Sequence, residues 1–282
     1  MINKSIRIGE INTLKIKRDT DYGFFLEAQD EGEVLFPNAY ITDDMEIGDT
    51  IDVFVYTDSE DRPVATTEEP LGYKDQFIFT TVVDTTKYGA FVDMGLLKDL
   101  FVPRNKQKTP FRVGDKRILR VVLDTETNRL IGVEKITSFL SKDIKVLEKN
   151  DPVDILIFAK TPLGYKVIVN NVYEGLIYQN EIFTDIAVGQ KKEAYIKEVR
   201  ADGKLDISLQ PIGKSKAEDI NTQKITTLLK TNDGTLPYNY KTDPETVKEI
   251  FGLSKKAYKR ALTSLIENGK IELNEEGMSL KN

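Results

Sequence analysis

Two short stretches of the chain place a pair of aromatic rings around a glycine. Tyr22 and Phe25 flank Gly23 in "YGFF", and Tyr88 and Phe91 flank Gly89 in "YGAF". A solvent-facing ring offers a flat π-surface on which any nucleobase stacks, for roughly 1–3 kcal/mol per base. Arg or Lys beside such a ring neutralises phosphate, and the affinity gained falls with salt. Arg104, Lys116 and Arg120 follow the second pair in a basic cluster with Lys106, Lys108, Arg112 and Arg117. The plainer reading is that the rings are core, the usual fate of aromatics in strands, and that the cations form a solvated face. Recurrence of the pair, and Ala90, Val92 and Leu100 as a separate inward set, favour rings at the surface. A spacing of three puts two side chains on opposite faces of a regular strand. A shared stacking surface therefore requires an irregular backbone at Gly89, by a bulge or a late strand start.

Composition excludes much other chemistry. The 282 residues include no His and no Cys, so thiol nucleophiles, imidazole bases and the usual zinc ligand sets are absent. The carboxylates are scattered, and neither a metal nor any cofactor is implied. "PIGKS" at 211–215 resembles the end of a phosphate-binding loop, but Ser208 stands where that loop needs a glycine. The expectation is a protein that is not an enzyme. No apolar run reaches the roughly 18 residues of a spanning helix, so no membrane partner is expected. "MINKSIRIGE" lacks the apolar core of a signal peptide, and a cysteine-free chain suits the cytoplasm.

The elements that must position these residues repeat three times. Gly23 and Gly48 are 25 apart, as are Gly89 and Gly114, and Gly164 and Gly189. "YGFFLE", "YGAFVD" and "LGYKVIV" surround the first glycine of each pair, and "IGDTIDVFV", "VGDKRILRV" and "VGQKKEAYI" the second. Each segment reads as short alternating strands between turns, in the second at about 77–83, 88–93, 99–103, 116–123 and 129–134. Five short strands in so few residues favour a small closed barrel, which exposes no long edge. From about residue 212 the period becomes helical. Asp243 caps a helix opened by Pro244 and ended by Gly252, Ser254 caps the next, and "KIELNEEGMSLKN" reads as a two-stranded hairpin. Three helices and a hairpin give a winged helix.

The expected architecture is thus multidomain: three tandem all-β OB-fold barrels at 1–70, 71–149 and 150–211, then an α+β winged-helix domain at 212–282. Charge separates them. Residues 1–70 hold six basic and seventeen acidic residues, a net of −11. The net is +5 over 71–149, −2 over 150–211 and +2 over 212–282. A polyanion is repelled by the first module and attracted to the second.

"YGAFVD", the short "LFVP" strand, "VGD" and the later "NR" resemble the S1-type RNA-binding domain, most clearly in the second module, less in the first and least in the third. Three such modules before a winged helix resemble the conserved virulence factor B family of bacterial RNA-binding regulators. The resemblance implies that Tyr88 and Phe91, and Tyr22 and Phe25, stack on bases, while Leu163 and Lys166 replace the pair in the third module. It implies a further contact from the third strand, commonly histidine in the family, where this chain has Phe36 and Tyr178, while Val102 removes that contact from the second module. It also implies a basic residue ending the fourth turn: Arg62, Arg129 and Lys204. Lys255, Lys256, Lys259 and Arg260 occupy the half of the third tail helix that approaches nucleic acid in helix-turn-helix proteins.

Together these imply a monomeric, cytoplasmic, single-stranded RNA-binding protein in post-transcriptional regulation, with the acidic first module binding weakly. Two rivals stay open. One is a transcriptional regulator whose winged helix reads duplex DNA. The other is an adaptor for the ribosome or RNA-decay proteins.

Overall fold

The computed structural model describes residues 2, 4–144, 147–211 and 214–281, except the side chains of 214–219. Ile212 and Gly213 of the "PIGKS" stretch therefore lie outside the described residues. The chain divides into two compact units, Met1–Ser138 and Phe139–Asn282.

The first unit holds two closed five-stranded barrels. One is built from β1 (Ile11–Thr20), β2 (Gly23–Glu27), β3 (Glu33–Pro37), β4 (Thr50–Thr57) and β5 (Pro63–Thr66), and the other from β6 (Phe77–Thr85), β7 (Gly89–Val92), β8 (Leu100–Pro103), β9 (Lys116–Asp124) and β10 (Arg129–Val133). In each, the third strand runs parallel to the fifth and every other pair is antiparallel. Alternation fills the interiors: Leu14, Ile16, Phe24, Leu26, Val34 and Phe36 in one, Ile78, Val82, Ala90, Val92, Leu100 and Val102 in the other. The second repeated glycine closes the barrel. Gly48 and Gly114, at φ +104° and +87°, turn the chain so that their N–H groups donate to the Ile16 and Val82 carbonyls at 2.8 Å.

Side chains tie the two barrels together. Lys98 Nζ donates to the Thr57 and Asp58 carbonyls at 2.6 and 2.5 Å, and Lys74 pairs with Glu10 at 2.6 Å. Arg129 pairs with Asp61, and Leu130 packs on the core of the first barrel.

The second unit holds the third barrel: β11 (Pro152–Thr161), β12 (Gly164–Val169), β13 (Tyr173–Tyr178), β14 (Lys191–Val199) and β15 (Leu205–Ser208), closed in the same order. Ser141 bridges to Tyr173 and Ile144 packs on this barrel's core. The winged helix follows as α1 (Lys214–Thr231), β16 (Thr235–Leu236), α2 (Pro244–Phe251), α3 (Lys255–Glu267), β17 (Ile271–Leu273) and β18 (Met278–Leu280). Ile225, Leu229, Val247, Phe251, Tyr258 and Leu262 form its core. Asp243 accepts from the Glu245 and Thr246 N–H groups, and Gly252 ends α2 at φ +61°. Its sheet has three strands rather than the two of a hairpin, because Thr235–Leu236 pairs with β18. A two-residue strand carries no periodicity to read.

Phe36 overturns one expectation. It is fully buried in the first barrel, its ring 5.9 Å from that of Tyr40, so it is core and not an RNA contact. Phe36→Ala is expected to cost about 3–5 kcal/mol in a urea melt of the full chain; a loss under 1 kcal/mol contradicts the packing. The junction predicts an acid response. Hydrogen bonds from Arg129 and Lys74 hold the Asp61 and Glu10 carboxyls below their usual ranges. A depressed carboxyl contributes stability above its unfolded pKa of about 4 and loses it as pH falls through the folded value. The melting temperature should fall between pH 5 and 3, and less steeply in a chain carrying Asp61→Asn and Glu10→Gln.

Candidate nucleic-acid interface

β7 begins at Gly89, so Tyr88 ends the preceding turn and stands outside the strand. This late start removes the facing conflict between Tyr88 and Phe91. The Tyr88 backbone is held on both sides: Thr86 Oγ1 accepts from its N–H at 3.2 Å, and the Arg104 N–H donates to its carbonyl at 2.9 Å. Tyr88 is 69% exposed, with Lys87 Nζ 4.8 Å from its ring centre. From Gly89 the strand is regular, pairing Gly89 with Pro103, Ala90 with Val102 and Phe91 with Phe101. Ala90 and Val92 therefore enter the core and Phe91 faces outward. The bulge lies in β6 instead, between Val82 and Asp84.

Phe101 is a third aromatic of this face that sequence reasoning passed over. Its ring centre is 5.2 Å from that of Phe91, and it leans over Gly89, where a Cβ would lie 2.7 Å from the ring. The available signal was alternation in "LFVP", which puts residue 101 outward opposite residue 91. Arg104 follows β8 in a 3-10 turn and is exposed, as are Lys108, Arg112 and Lys116. Lys116 Nζ lies 5.9 Å from the Phe79 ring centre.

Two predicted cations are otherwise engaged. Arg120 lies 4.8 Å over the Phe77 ring and 3.5 Å from Asp75, with 13% of its side chain exposed, so it is part of the packing. Arg129 is committed to Asp61 at the junction. Arg62 and Arg129 each stand two residues before the residue that pairs with the third strand, and Lys204 stands two before Asp206, whose partner Leu176 holds the register position of Leu35 and Phe101. Arg62 holds Asp58 and Glu60 at 2.7 and 3.0 Å, and Lys204 lies 3.8 Å from Glu174.

The other two barrels differ on the same face. In the first, Tyr22 is exposed, but the Arg18 guanidinium covers Phe25 at 3.8 Å. In the third, Leu163 is exposed and Lys166 pairs with Glu174 at 3.0 Å. Tyr178 pairs with Gly164 as Pro37 does with Gly23 and Pro103 with Gly89. It is therefore one residue beyond the position of Phe36 and Val102, which buried Ile177 fills. Tyr178 is half-buried beneath Lys197, whose Nζ is 5.3 Å from the ring centre. On α3, Lys256, Lys259 and Arg260 are exposed. Lys255 is not presented with them: its Nζ turns back to donate to the Tyr240 carbonyl at 2.7 Å and to that of Thr242. Burial and then Lys259 hold that ammonium below the usual lysine range.

An S1 domain family model matches residues 8–68, and a model of the CvfB-like winged helix domain matches residues 223–280. Conserved virulence factor B of Staphylococcus epidermidis is 27% identical over 293 residues, covering 96% of each chain. The uncharacterized protein YitL of Bacillus subtilis is 31% identical over 276 residues, covering 95% of this chain and 91% of its own. The chain belongs to the conserved virulence factor B family. A solved multidomain protein with nucleic acid binding domains from Streptococcus pneumoniae is 25% identical, covers 97% of this chain and 98% of its own, and has a TM-score of 0.42.

In this member of the conserved virulence factor B family, the S1 match falls on the barrel whose Phe25 is covered, while the open aromatic face belongs to the second barrel. Gly89 is the residue on which that face turns, since a Cβ there would also lie 2.4 Å from the Val102 carbonyl oxygen. Gly89→Ala should displace Phe101 and destabilise the chain by about 1–3 kcal/mol. Near-ultraviolet circular dichroism and a urea melt read the two effects, and an unchanged spectrum and midpoint contradict the close approach.

Proposed function

We propose that the chain is a non-enzymatic, single-stranded RNA-binding protein acting in post-transcriptional control in the cytoplasm, with the outer face of the second barrel as its principal site. The observation that carries this reading is the group of Tyr88, Phe91 and Phe101 with Lys87 and Arg104 at the same turn, on a barrel that also exposes Lys116. Exposed rings need unstacked bases, which single strands present and duplexes do not. The match of the first barrel to an S1 domain supports nucleic-acid binding by barrels of this kind, and the net charge of +5 in the second module against −11 in the first supports the choice of the second. Stacking would come from Tyr88 and Phe91, and phosphate neutralisation from Arg104 and Lys116. Further modules raise effective concentration along one strand, including the exposed Lys256, Lys259 and Arg260 of α3.

Those three cations also favour a second reading, in which the winged helix reads duplex DNA. Fluorescence anisotropy with single-stranded RNA and duplex DNA at matched salt separates the two. The full chain should prefer the single strand, with affinity falling as salt rises. Tyr88→Ala with Phe91→Ala should weaken RNA binding by at least about tenfold, the loss of one to two stacked bases. A preference for the duplex, or unchanged RNA affinity in the double variant, overturns the reading.

A further inference from the structure

The three barrels place different residues over the same outward position. Register pairs Arg18 with Phe25 in the first barrel, Asp84 with Phe91 in the second and Ala159 with Lys166 in the third. Each lies just past the bulge of the barrel's first strand, so the comparison is between equivalent sites. In the first barrel the Arg18 Cζ lies 3.8 Å from the centre of the Phe25 ring, the separation of two stacked planes. A guanidinium is flat, delocalised and cationic, and it stacks on aromatic faces as a base does. It is also held from behind. Glu33 accepts from Arg18 at 3.0 Å and from Lys17 at 2.9 Å, and Lys17 reaches Glu27 at 3.0 Å. Those hydrogen bonds, Lys17 first, hold the Glu33 carboxyl below the usual glutamate range, so the anchor stays charged near neutral pH. At the equivalent position the second barrel has Asp84, a short anion whose side chain accepts from the Thr85 N–H at 2.7 Å, and Phe91 meets the ring of Phe101 rather than a guanidinium.

We propose that Arg18 is an internal substitute for a nucleobase, which closes the Phe25 face of the first barrel and makes the second barrel the preferred site for RNA. This rests on the proposed function for the identity of the excluded ligand. The arrangement explains how the barrel that matches the S1 domain can carry both aromatics and still leave Tyr22 as its exposed ring, with Phe25 half-buried under a cation. Repulsion by the net charge of −11 discourages RNA at long range, and Arg18 excludes the base at contact.

The sign of one substitution separates this role from an ordinary phosphate contact. Removing a cation from an acidic module should weaken RNA binding if Arg18 touches phosphate, and strengthen it if Arg18 covers a stacking surface. The background is the full chain with Tyr88→Ala and Phe91→Ala, titrated with a labelled single-stranded oligouridylate at low salt. Adding Arg18→Ala should raise affinity by about fivefold, part of the value of one stacked base. Adding Phe25→Ala to that chain should abolish the gain. Arg18→Lys, which keeps the charge and loses the plane, should also gain. Lowered or unchanged affinity on Arg18→Ala, or a gain that survives Phe25→Ala, overturns the proposal. Melting curves confirm that each variant is folded. Failure of the second-barrel site shows separately, as equal affinity of the wild-type and the Tyr88→Ala, Phe91→Ala chains before Arg18 is altered.

Discussion

The aromatic face depends on one close approach between neighbouring strands. A Cβ at Gly89 would lie 2.4 Å from the Val102 carbonyl oxygen, and the equivalents at Gly23 and Gly164 would lie 2.2 and 2.0 Å from the carbonyls of Phe36 and Ile177. No side chain fits at that separation. The strand therefore starts on a bare backbone, and the residue before it leaves the barrel wall. Three features are arranged around that point: the ring of residue 88 before it, the ring of residue 101 across it, and the N–H of residue 104 bound to the residue 88 carbonyl.

The three barrels share this scaffold and differ in how they furnish it. The second combines open rings with exposed cations, the first covers its inner ring with Arg18, and the third substitutes an aliphatic and an ion-paired lysine. Module charge follows the same division, most acidic where the ring is covered and most basic where it is open. Under the proposed function, long-range field and contact geometry favour the same barrel.

The barrels were legible in the sequence because two glycines per module obey backbone constraints independent of the rest of the chain. The helical tail was legible for a similar reason, since Asp243, Pro244, Gly252 and Ser254 act locally. The site was less legible. A one-residue slip turns a strand side chain from one face to the other, and that slip is the whole difference between buried Phe36 and outward Tyr178. Arg120, Arg129 and Lys255 read as available cations because their partners, Phe77, Asp61 and the Tyr240 carbonyl, are brought to them only by folding. Phe101 needed the pairing of β7 with β8 before its neighbours could be known.

The backbone bond that fixes Tyr88 recurs in the other two barrels, under an aromatic in one and an aliphatic in the other. Asn38 donates to the Tyr22 carbonyl and Gln179 to that of Leu163, just as Arg104 does to that of Tyr88. Main-chain atoms make this clamp, so it does not depend on which side chain it presents. The position behaves as a socket: a tandem chain can gain or lose a stacking surface by one substitution at a solvent-facing residue, with the barrel beneath unaltered. Under the proposed function, the preorganised backbone would spare an incoming base the cost of ordering a loop, leaving only the ring's own rotation to be restrained. On that reading, affinity along the array would be adjustable one module at a time, at little cost to folding.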